Sequence, residues 1–138
     1  MEREIYTPKL EQVPAMPELR TLYAKLGEDL IRSLVDQFYD LIPHSSIANM
    51  FPADLSNAKK DQADFLIQVL GGPSYYSERK GHPRMRMRHF PFVITEESRQ
   101  VWYKCYEQAI NTKSIPEPEK GILLSYLESF SKWMVNSL

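Results

Sequence analysis

The stretch DLIRSLVDQFYDLI, residues 29–42, places its apolar side chains three and four positions apart. This spacing puts them on one face of an α-helix, with polar residues on the opposite face. Pro43 follows directly and ends the helix. The stretch therefore predicts an amphipathic helix whose buried face carries Leu30, Ile31, Leu34, Val35, Phe38 and Tyr39.

A second helix is predicted from Ser56, a good N-cap, to Leu70, where a Gly-Gly-Pro turn ends it. The residues of its inward stripe are Ala58, Gln62, Phe65, Leu66 and Val69. Residues 74–83, SYYSERKGHP, have no helical spacing and are predicted to be irregular. A short segment, residues 84–89, follows them and ends before Pro91.

Two further helices complete the pattern. Thr95 and Ser98 suggest the cap of one that runs to about Asn111, and the other begins after Pro116 or Pro118. The buried stripe of the last helix is Ile122, Leu123, Tyr126, Leu127, Phe130, Trp133 and Met134. No stretch alternates for long enough to predict a strand, so the predicted fold class is all-α.

The composition is that of one soluble globular domain. Of the 138 residues, 43% are hydrophobic and 25% are charged, which excludes wholesale disorder. The 17 basic and 18 acidic residues nearly cancel, so the net charge does not indicate nucleic acid or an anionic membrane as a partner. Apolar runs are far shorter than the roughly 20 residues of a membrane span, and no signal peptide is recognisable. We expect a cytoplasmic protein with an irregular N-terminal extension, residues 1–17, and one domain, residues 18–138.

The single cysteine, Cys105, excludes an internal disulfide and a cysteine-based zinc site. A single cysteine is compatible with a reducing cytosol. Because Cys105 lies on an inward stripe, the sequence favours a packing role over a redox switch.

Three polar side chains lie on stripes that are otherwise apolar: Tyr39, Gln62 and Trp102, one on each of three helices. A buried Tyr or Trp needs a partner for its polar tip, and an unpartnered buried Gln is costly. One interpretation is that each bonds a backbone carbonyl within the core. The other is that all three donors face one shared polar ligand.

The segment 79–89 is strongly basic and contains no acid, its cations being Arg79, Lys80, Arg84, Arg86 and Arg88. One interpretation is a solvated basic face. A second is contact with nucleic acid, although aromatic interleaving is poor and no matching patch exists elsewhere. A third is an anionic small ligand whose carboxylates or phosphates are held by the guanidinium groups.

His89 has the most informative surroundings of the three histidines. It follows Met85 by four residues, so both lie on one helix face, with arginines around them. No second His, Cys or carboxylate lies at helical spacing on that face, which disfavours a zinc site built from protein ligands alone. A single His suits a metal whose other ligands come from a macrocycle, and haem fits this description.

The segment GGPSYYSERKGHPRMRMRHFPFVI, residues 71–94, resembles the characteristic segment of truncated (two-over-two) haemoglobins of the second group. The resemblance extends upstream through FYDLI and NMFPADL and downstream through VWYKCYEQAI and WMVNS. It covers residues 20–138 and leaves the N-terminal 17 or so residues outside. It implies a two-over-two helical sandwich around haem b.

On the proximal side, the resemblance implies that His89 binds the haem iron through Nε2. Arg86 and Arg88 match basic positions that meet the haem propionates, and Tyr76 is expected to be a further propionate contact. The proximal wall would be completed by Met85, Phe92 and Ile94.

On the distal side, Tyr39 matches the ligand-binding tyrosine of the family and Trp102 the tryptophan that marks this group. Phe51 matches an aromatic that wedges against the porphyrin, and Gln62 occupies a polar distal position. Ala58 stands where many globins place a distal histidine, which implies an ungated path for the ligand. Further haem contacts are expected from Phe65 and Leu66.

The resemblance implies a protein that binds dioxygen, CO, NO or peroxide at a five-coordinate haem iron. Dioxygen on ferrous haem carries negative charge on its oxygens, and Tyr39, Gln62 and Trp102 offer it three hydrogen-bond donors. A hydrogen bond to a charged acceptor contributes roughly 1.5–3 kcal/mol, so we expect tight binding and slow release. Such kinetics suit scavenging, sensing or redox chemistry better than transport.

Two alternatives stay open. One is peroxidase or nitric oxide dioxygenase activity with an unidentified reductase, although no distal His or acid is placed to shuttle protons. The other is a haem-free helical module that uses segment 79–89 to bind an acidic partner. Nucleic acid and membrane are not expected as partners, and the chain is expected to be a monomer or homodimer.

Overall fold

The computed structural model describes residues 5–7 and 17–138. Within this part the chain forms helices and no strand, which confirms the all-α prediction. The helices are α1 (Leu22–Leu26), α2 (Glu28–Leu41), α3 (Ser56–Val69), α4 (Tyr75–Lys80), α5 (Met85–Arg88), α6 (Glu96–Asn111) and α7 (Glu119–Met134). Short 3₁₀ turns lie at Pro17–Thr21, Ile42–His44 and Ala48–Met50. None of these helices is long and apolar enough to cross a lipid bilayer.

Two helix pairs build the core: α2 with α3, and α6 with α7. α2 packs on both α3 and α6, and α6 packs on α7. Burial of one large apolar side chain contributes about 1.5–3 kcal/mol, so the stripe of α2 holds the two pairs together. The buried residues of this stripe are Ile31, Leu34, Val35, Phe38 and Tyr39.

The start of α2 depends on Gly27. Its φ of 87° lies in the left-handed region, which glycine adopts without steric penalty. The chain turns there between α1 and α2. Glu28 and Asp29 then place negative charge in the first turn of α2, where the helix dipole favours it.

α6 begins at the cap predicted from Thr95 and Ser98. The Thr95 hydroxyl accepts the Ser98 N–H at 3.2 Å, and the Ser98 hydroxyl accepts the Thr95 N–H at 2.9 Å. These reciprocal bonds satisfy two backbone donors that have no partner within the helix. They set where α6 starts and therefore which of its side chains face the interior.

One prediction is wrong: residues 75–80, expected to be irregular, form α4. The Gln68 side chain near the end of α3 stabilises this short helix. Its Oε1 accepts the Ser77 N–H at 2.9 Å, and its Nε2 donates to the Ser77 hydroxyl at 2.7 Å. A helix this short is marginal alone and shows no periodic apolar signal, so packing on α3 makes it a helix.

Trp133 also differs from its prediction. It was assigned to the buried stripe of α7, but its side chain is 37% exposed. The guanidinium of Arg86 covers its ring, 5.2 Å from the centroid, which gives the indole a cation–π partner at the surface. Helical spacing counts Trp133 as inward, but it lies in the last turn of α7, where the core ends.

The two ends of the described chain meet beside α5. The Tyr6 N–H donates to the Asn136 carbonyl at 2.8 Å, and Tyr6 packs against the small cluster of Ile94, Met134 and Val135. Pro17 opens the first 3₁₀ turn. The remaining residues of the predicted irregular extension, 1–4 and 8–16, lie outside the described residues.

Candidate functional site

A cavity of about 460 Å³ lies among the helices. Its size falls in the range of small-molecule and cofactor pockets. The residues predicted to contact haem that line this cavity are Tyr39, Phe51, Ala58, Gln62, Tyr76, Met85, Arg88, His89, Phe92, Ile94 and Trp102. The fold thus brings together positions from α2, α3, α4, α5, α6 and the loops between them.

His89 follows α5 directly and lines the cavity. Its Nδ1 lies 2.5 Å from the carbonyl oxygen of Met85, one turn earlier. Because a carbonyl only accepts, we assign the ring proton to Nδ1, which leaves the Nε2 lone pair available to a metal. Burial lowers the pKa of His89 more than this hydrogen bond raises it, so the ring is held in the neutral form that ligates metals.

The three polar side chains from apolar stripes also meet at the cavity. Tyr39, Gln62 and Trp102 line its wall, and the Phe38 ring packs edge-on against both Tyr39 and Trp102, at centroid distances of 5.0 and 5.7 Å. Neither the Tyr39 hydroxyl nor the Trp102 indole N–H donates to another residue of the described chain. Burial, with a contribution from the Asp61 carboxylate, raises the pKa of Tyr39, so its O–H stays a donor. These donors are available to a polar ligand.

Basic side chains gather beside Tyr76 on the cavity wall. The Arg88 guanidinium lies 5.7 Å and the Lys80 ammonium 5.9 Å from the centroid of the Tyr76 ring. Arg88 is held in place because its Nε donates to the Pro83 carbonyl at 2.6 Å. Lys80 was not among the predicted site residues. Together the two cations can hold carboxylates.

The residues around this cavity fit a porphyrin with one protein ligand to its iron. His89 supplies a neutral nitrogen, and Tyr39 and Trp102 supply donors that have no other partner among the described residues. Arg88 supplies a charge that matches a propionate, and Lys80 adds an ammonium group that it shares with Asp61. The apolar part of the wall includes Met85, Phe92, Ile94, Phe130 and Met134.

Arg86, predicted to meet a propionate, does not line the cavity. Its guanidinium donates instead to the carbonyls of Trp133 at 2.7 Å, Val135 at 2.8 Å and Tyr6 at 2.8 Å. These three bonds direct it to the chain ends, where it joins the N-terminal and C-terminal segments. Arg86 and Arg88 are two positions apart on a one-turn helix, so spacing could not tell which of them faces the cavity.

Phe65 and Leu66 also lie off the cavity wall. Phe65 packs edge-on against Tyr76 with ring centroids 5.6 Å apart, so it supports a residue that does line the cavity. Leu66 is buried in the main hydrophobic core. Both residues sit on the predicted inward stripe of α3, but inward here means toward the core rather than toward the cavity.

The acids that balance the basic segment 79–89 come from α3. Arg79 pairs with Asp61 at 2.8 Å and with Asp64 at 3.0 Å, and Lys80 pairs with Asp61 at 2.8 Å. The Asp64 carboxylate is buried and also accepts a bond from Arg32 at 3.1 Å. This end of the segment is therefore neutralised within the fold, which weighs against an open basic docking face.

Asp61 is a cavity residue that the sequence analysis missed. It lines the wall beside Gln62, a position that the sequence analysis did not consider when it expected no distal acid placed to shuttle protons. Burial raises the pKa of Asp61, but hydrogen bonds from Lys80 and Arg79 outweigh this and hold it below its ordinary value. Asp61 lies three residues after Ala58 on α3, and that helical spacing is the signal that could have revealed it.

Tyr106 is a second residue that the sequence analysis missed. Its ring stacks on Phe38 at 3.9 Å, and its buried hydroxyl meets no hydrogen-bond geometry with any described residue. Burial raises the pKa of Tyr106 well above its ordinary value, Tyr39 adds to this, and the Gln62 side chain opposes it. Tyr106 does not line the cavity, but its ring also packs against Trp102 at a centroid distance of 4.8 Å and so supports a residue that does. Its position four residues after Trp102 was the available signal.

Comparison with known proteins gives one family and several relatives. A family described as bacterial-like globin matches residues 21–136. The group 2 truncated hemoglobin YjbI of Bacillus subtilis is 38% identical over 115 residues, which cover 83% of this chain and 87% of that protein. Group 2 truncated hemoglobin 3-1 of Lotus japonicus is 33% identical over 122 residues, which cover 83% of this chain and 71% of that protein.

Solved structures resemble the whole helical body. The hemoglobin of the thermophilic bacterium Chloroflexus aurantiacus matches with a TM-score of 0.81 and 40% identity, over 84% of this chain and 98% of that one. The truncated oxygen-avid haemoglobin of Bacillus subtilis matches with a TM-score of 0.80 and 37% identity, over 83% of this chain and 98% of that one.

Proposed function

The chain belongs to the bacterial-like globin family, and on this premise we propose that it binds haem b through His89 and takes up dioxygen and other diatomic ligands. One observation carries the proposal: a neutral histidine and the uncommitted donors of Tyr39 and Trp102 line the same cavity. A haem held there supplies a five-coordinate iron with one position open to a small ligand.

The surrounding residues orient the iron ligand and the porphyrin. The bond between Nδ1 of His89 and the Met85 carbonyl fixes the ring orientation and raises the basicity of Nε2. Lys80 and Arg88, beside Tyr76, hold the propionates. Buried apolar side chains such as Ile94 and Met134 keep water from the rest of the wall.

Tyr39, Gln62 and Trp102 set how tightly a polar ligand is held. Each hydrogen bond to a negatively polarised ligand contributes roughly 1.5–3 kcal/mol. Two such bonds slow ligand release by about two to four orders of magnitude, since 1.4 kcal/mol is tenfold. The solved Bacillus subtilis relative is described as oxygen-avid, which supports this proposal. Slow release suits scavenging, sensing or redox chemistry.

A specific observation favours a second activity, peroxidase or nitric oxide dioxygenase. The Asp61 carboxylate lines the cavity and is partly exposed, so it connects the donor-lined wall with solvent. Because Lys80 and Arg79 keep this carboxylate ionised, it would pass a proton on toward solvent rather than store one, and redox turnover of such ligands needs proton transfer. This activity requires a reductase, and we place both proteins in the cytoplasm, with the chain as a monomer or homodimer.

The first experiment is an absorbance titration of the protein with hemin, followed by spectra of the ferric, ferrous and CO-bound forms. We expect a Soret band that shifts on reduction and again on CO binding. His89→Ala should abolish this behaviour because the iron loses its protein ligand. The matched control is His82→Ala, which changes an exposed histidine away from the cavity.

Each result of the hemin titration leads to a different conclusion. Wild-type spectra that shift, an unchanged His82→Ala and a collapsed His89→Ala support haem binding on His89. Absence of specific hemin uptake by the wild type would contradict the proposal. Equal spectra for wild type and His89→Ala would leave haem binding standing but assign the iron ligand to another residue.

A further inference from the structure

Asn136, just after α7, has a fully buried side chain that makes three hydrogen bonds to backbone groups of the segment around His89 and accepts a fourth from the Ser137 hydroxyl at 3.0 Å. Its Oδ1 accepts the Ile94 N–H at 3.0 Å. Its Nδ2 donates to the His89 carbonyl at 3.1 Å and to the Phe92 carbonyl at 3.0 Å. One side chain therefore satisfies three backbone groups between residues 89 and 94.

The backbone of the C-terminal segment adds to this attachment. The N–H groups of Asn136 and Ser137 both donate to the Ile94 carbonyl, at 3.0 and 3.1 Å. On its other side, the Asn136 carbonyl accepts the Tyr6 N–H at 2.8 Å. Asn136 is thus held from the N-terminal segment while it holds residues 89–94.

The segment that carries His89 has little structure of its own to rely on. α5 is four residues long, and a single turn is not stable without tertiary contacts. It begins after Arg84, whose φ of 44° lies in the left-handed region that is unfavourable for a non-glycine residue. Within the segment, the imidazole Nδ1 and the His89 N–H both bond the Met85 carbonyl. The His89 carbonyl accepts the Phe92 N–H and, from outside the segment, the side chain of Asn136.

We infer that Asn136 is the positioning residue of the iron ligand: by holding the backbone of His89, Phe92 and Ile94 it sets the place and tilt of the imidazole. This inference rests on the proposed haem binding by His89. A buried amide that makes three bonds to one short loop, beside the bond it accepts from the Ser137 hydroxyl, differs from ordinary packing, which any apolar side chain of the same size could supply. Removal of these bonds deprives the carbonyls of residues 89 and 92 of this donor.

The test compares three variants of the full chain. Asn136→Asp keeps an acceptor for the Ile94 N–H but replaces the donor to the two carbonyls by a carboxylate. Asn136→Ala removes both the acceptor for the Ile94 N–H and the donor to the two carbonyls. Val135→Ala is the matched control, because Val135 is the adjacent buried residue and its side chain only packs.

Three measurements are made on each protein: the rate of hemin loss to an acceptor protein, the ferrous iron–histidine stretching frequency by resonance Raman spectroscopy, and amide hydrogen exchange of residues 89–94 in the haem-free protein. For Asn136→Asp and Asn136→Ala we expect hemin loss about tenfold faster or more, from two lost buried hydrogen bonds. We also expect a shifted stretching frequency in both variants, faster exchange at Ile94 in Asn136→Ala, and faster exchange at Phe92 in both, since its N–H bonds the His89 carbonyl. Val135→Ala should leave the frequency unchanged.

The inference is overturned if the stretching frequency of both Asn136 variants equals that of wild type, or moves no further than in Val135→Ala. If Asn136→Ala does not fold, Asn136→Asp and the exchange data still decide the question. Failure of the proposed function is distinguishable, because a wild type that takes up no hemin fails before any variant is made. In that case unchanged exchange at Phe92 in Asn136→Asp would also refute the positioning of the loop.

Discussion

The two sides of the cavity are built in different ways. The polar wall, which consists of Tyr39, Gln62 and Trp102, stands on α2, α3 and α6, which have 14, 14 and 16 residues. The histidine wall, residues 85–94, contains one helix of four residues. Its His89 carbonyl is held by Asn136, 47 residues further along the chain.

The difference shows two ways of placing a functional group. On the polar wall, each donor occupies a position in a long helix whose buried stripe already fixes its rotation about the axis. On the histidine wall, the backbone follows bonds that come from the chain ends, through Asn136 and through Arg86. The polar wall should therefore tolerate changes at the termini, and the histidine wall should not.

The largest effect is expected on the polar wall. The double variant Tyr39→Phe with Trp102→Leu should release oxygen roughly 100- to 10,000-fold faster than wild type, because it lacks two donors to a charged acceptor. Stopped-flow measurement of the oxygen off-rate checks this. Tyr103→Phe is the control, since it removes a hydroxyl from α6 at a position off the cavity wall. An unchanged off-rate in the double variant would show that these donors do not reach the ligand.

A smaller effect distinguishes the two arginines of α5. Arg86→Leu should lower the free energy of unfolding of the haem-free protein by about 2 kcal/mol, because three backbone carbonyls lose a charged donor. Arg88→Leu should change it by less than about 1 kcal/mol, since Arg88 is exposed. Urea unfolding measures both values. The reverse order would contradict the assignment of Arg86 to the chain ends.

The cap of α6 supports the polar wall through its helix. Thr95→Ala should lower the free energy of unfolding by about 1 kcal/mol, the usual contribution of a side-chain N-cap. Thr95→Ser keeps the hydroxyl and should unfold close to wild type. Thermal unfolding followed by circular dichroism distinguishes them, and equal stabilities of wild type and Thr95→Ala would argue against the capping box as a stabilising element.

The last prediction concerns pH: we expect it to have no effect on the oxygen off-rate. Because burial raises the pKa of Tyr39, the phenol stays protonated where an exposed tyrosine would ionise. The oxygen off-rate of wild type should therefore stay constant between about pH 7 and pH 10. A rise with a midpoint near pH 10 that disappears in Tyr39→Phe would show that the hydroxyl ionises in that range and loses its donor role.

The polar wall could be predicted to a large extent from the sequence. Tyr39 and Trp102 were found because they break apolar stripes of long helices, and the structure places both on the cavity. His89 was singled out by its spacing from Met85, and the structure adds the bond between them. Helical spacing acts within one or two turns, so it is visible in a single segment.

The histidine wall and the cavity edge could not be predicted to the same extent. α4 could not be predicted because a helix of six residues lacks a periodic signal. Because Lys80 lies on this helix, its ion pair with Asp61 could not be predicted either. Arg86 was assigned to propionates although its partners lie at both chain ends. Asn136 carries no signal of its own in the closing WMVNS stretch.

The sequence by itself determined the long helices, their buried faces, the three donors and the histidine, because helix periodicity and turn chemistry act over a few residues. Only the tertiary structure decided that Arg88 and not Arg86 lines the cavity, that Asp61 joins its wall, and that Asn136 holds the backbone of His89. Hydrogen bonds and ion pairs between residues far apart in the chain depend on distances that packing creates, and no local spacing records those distances.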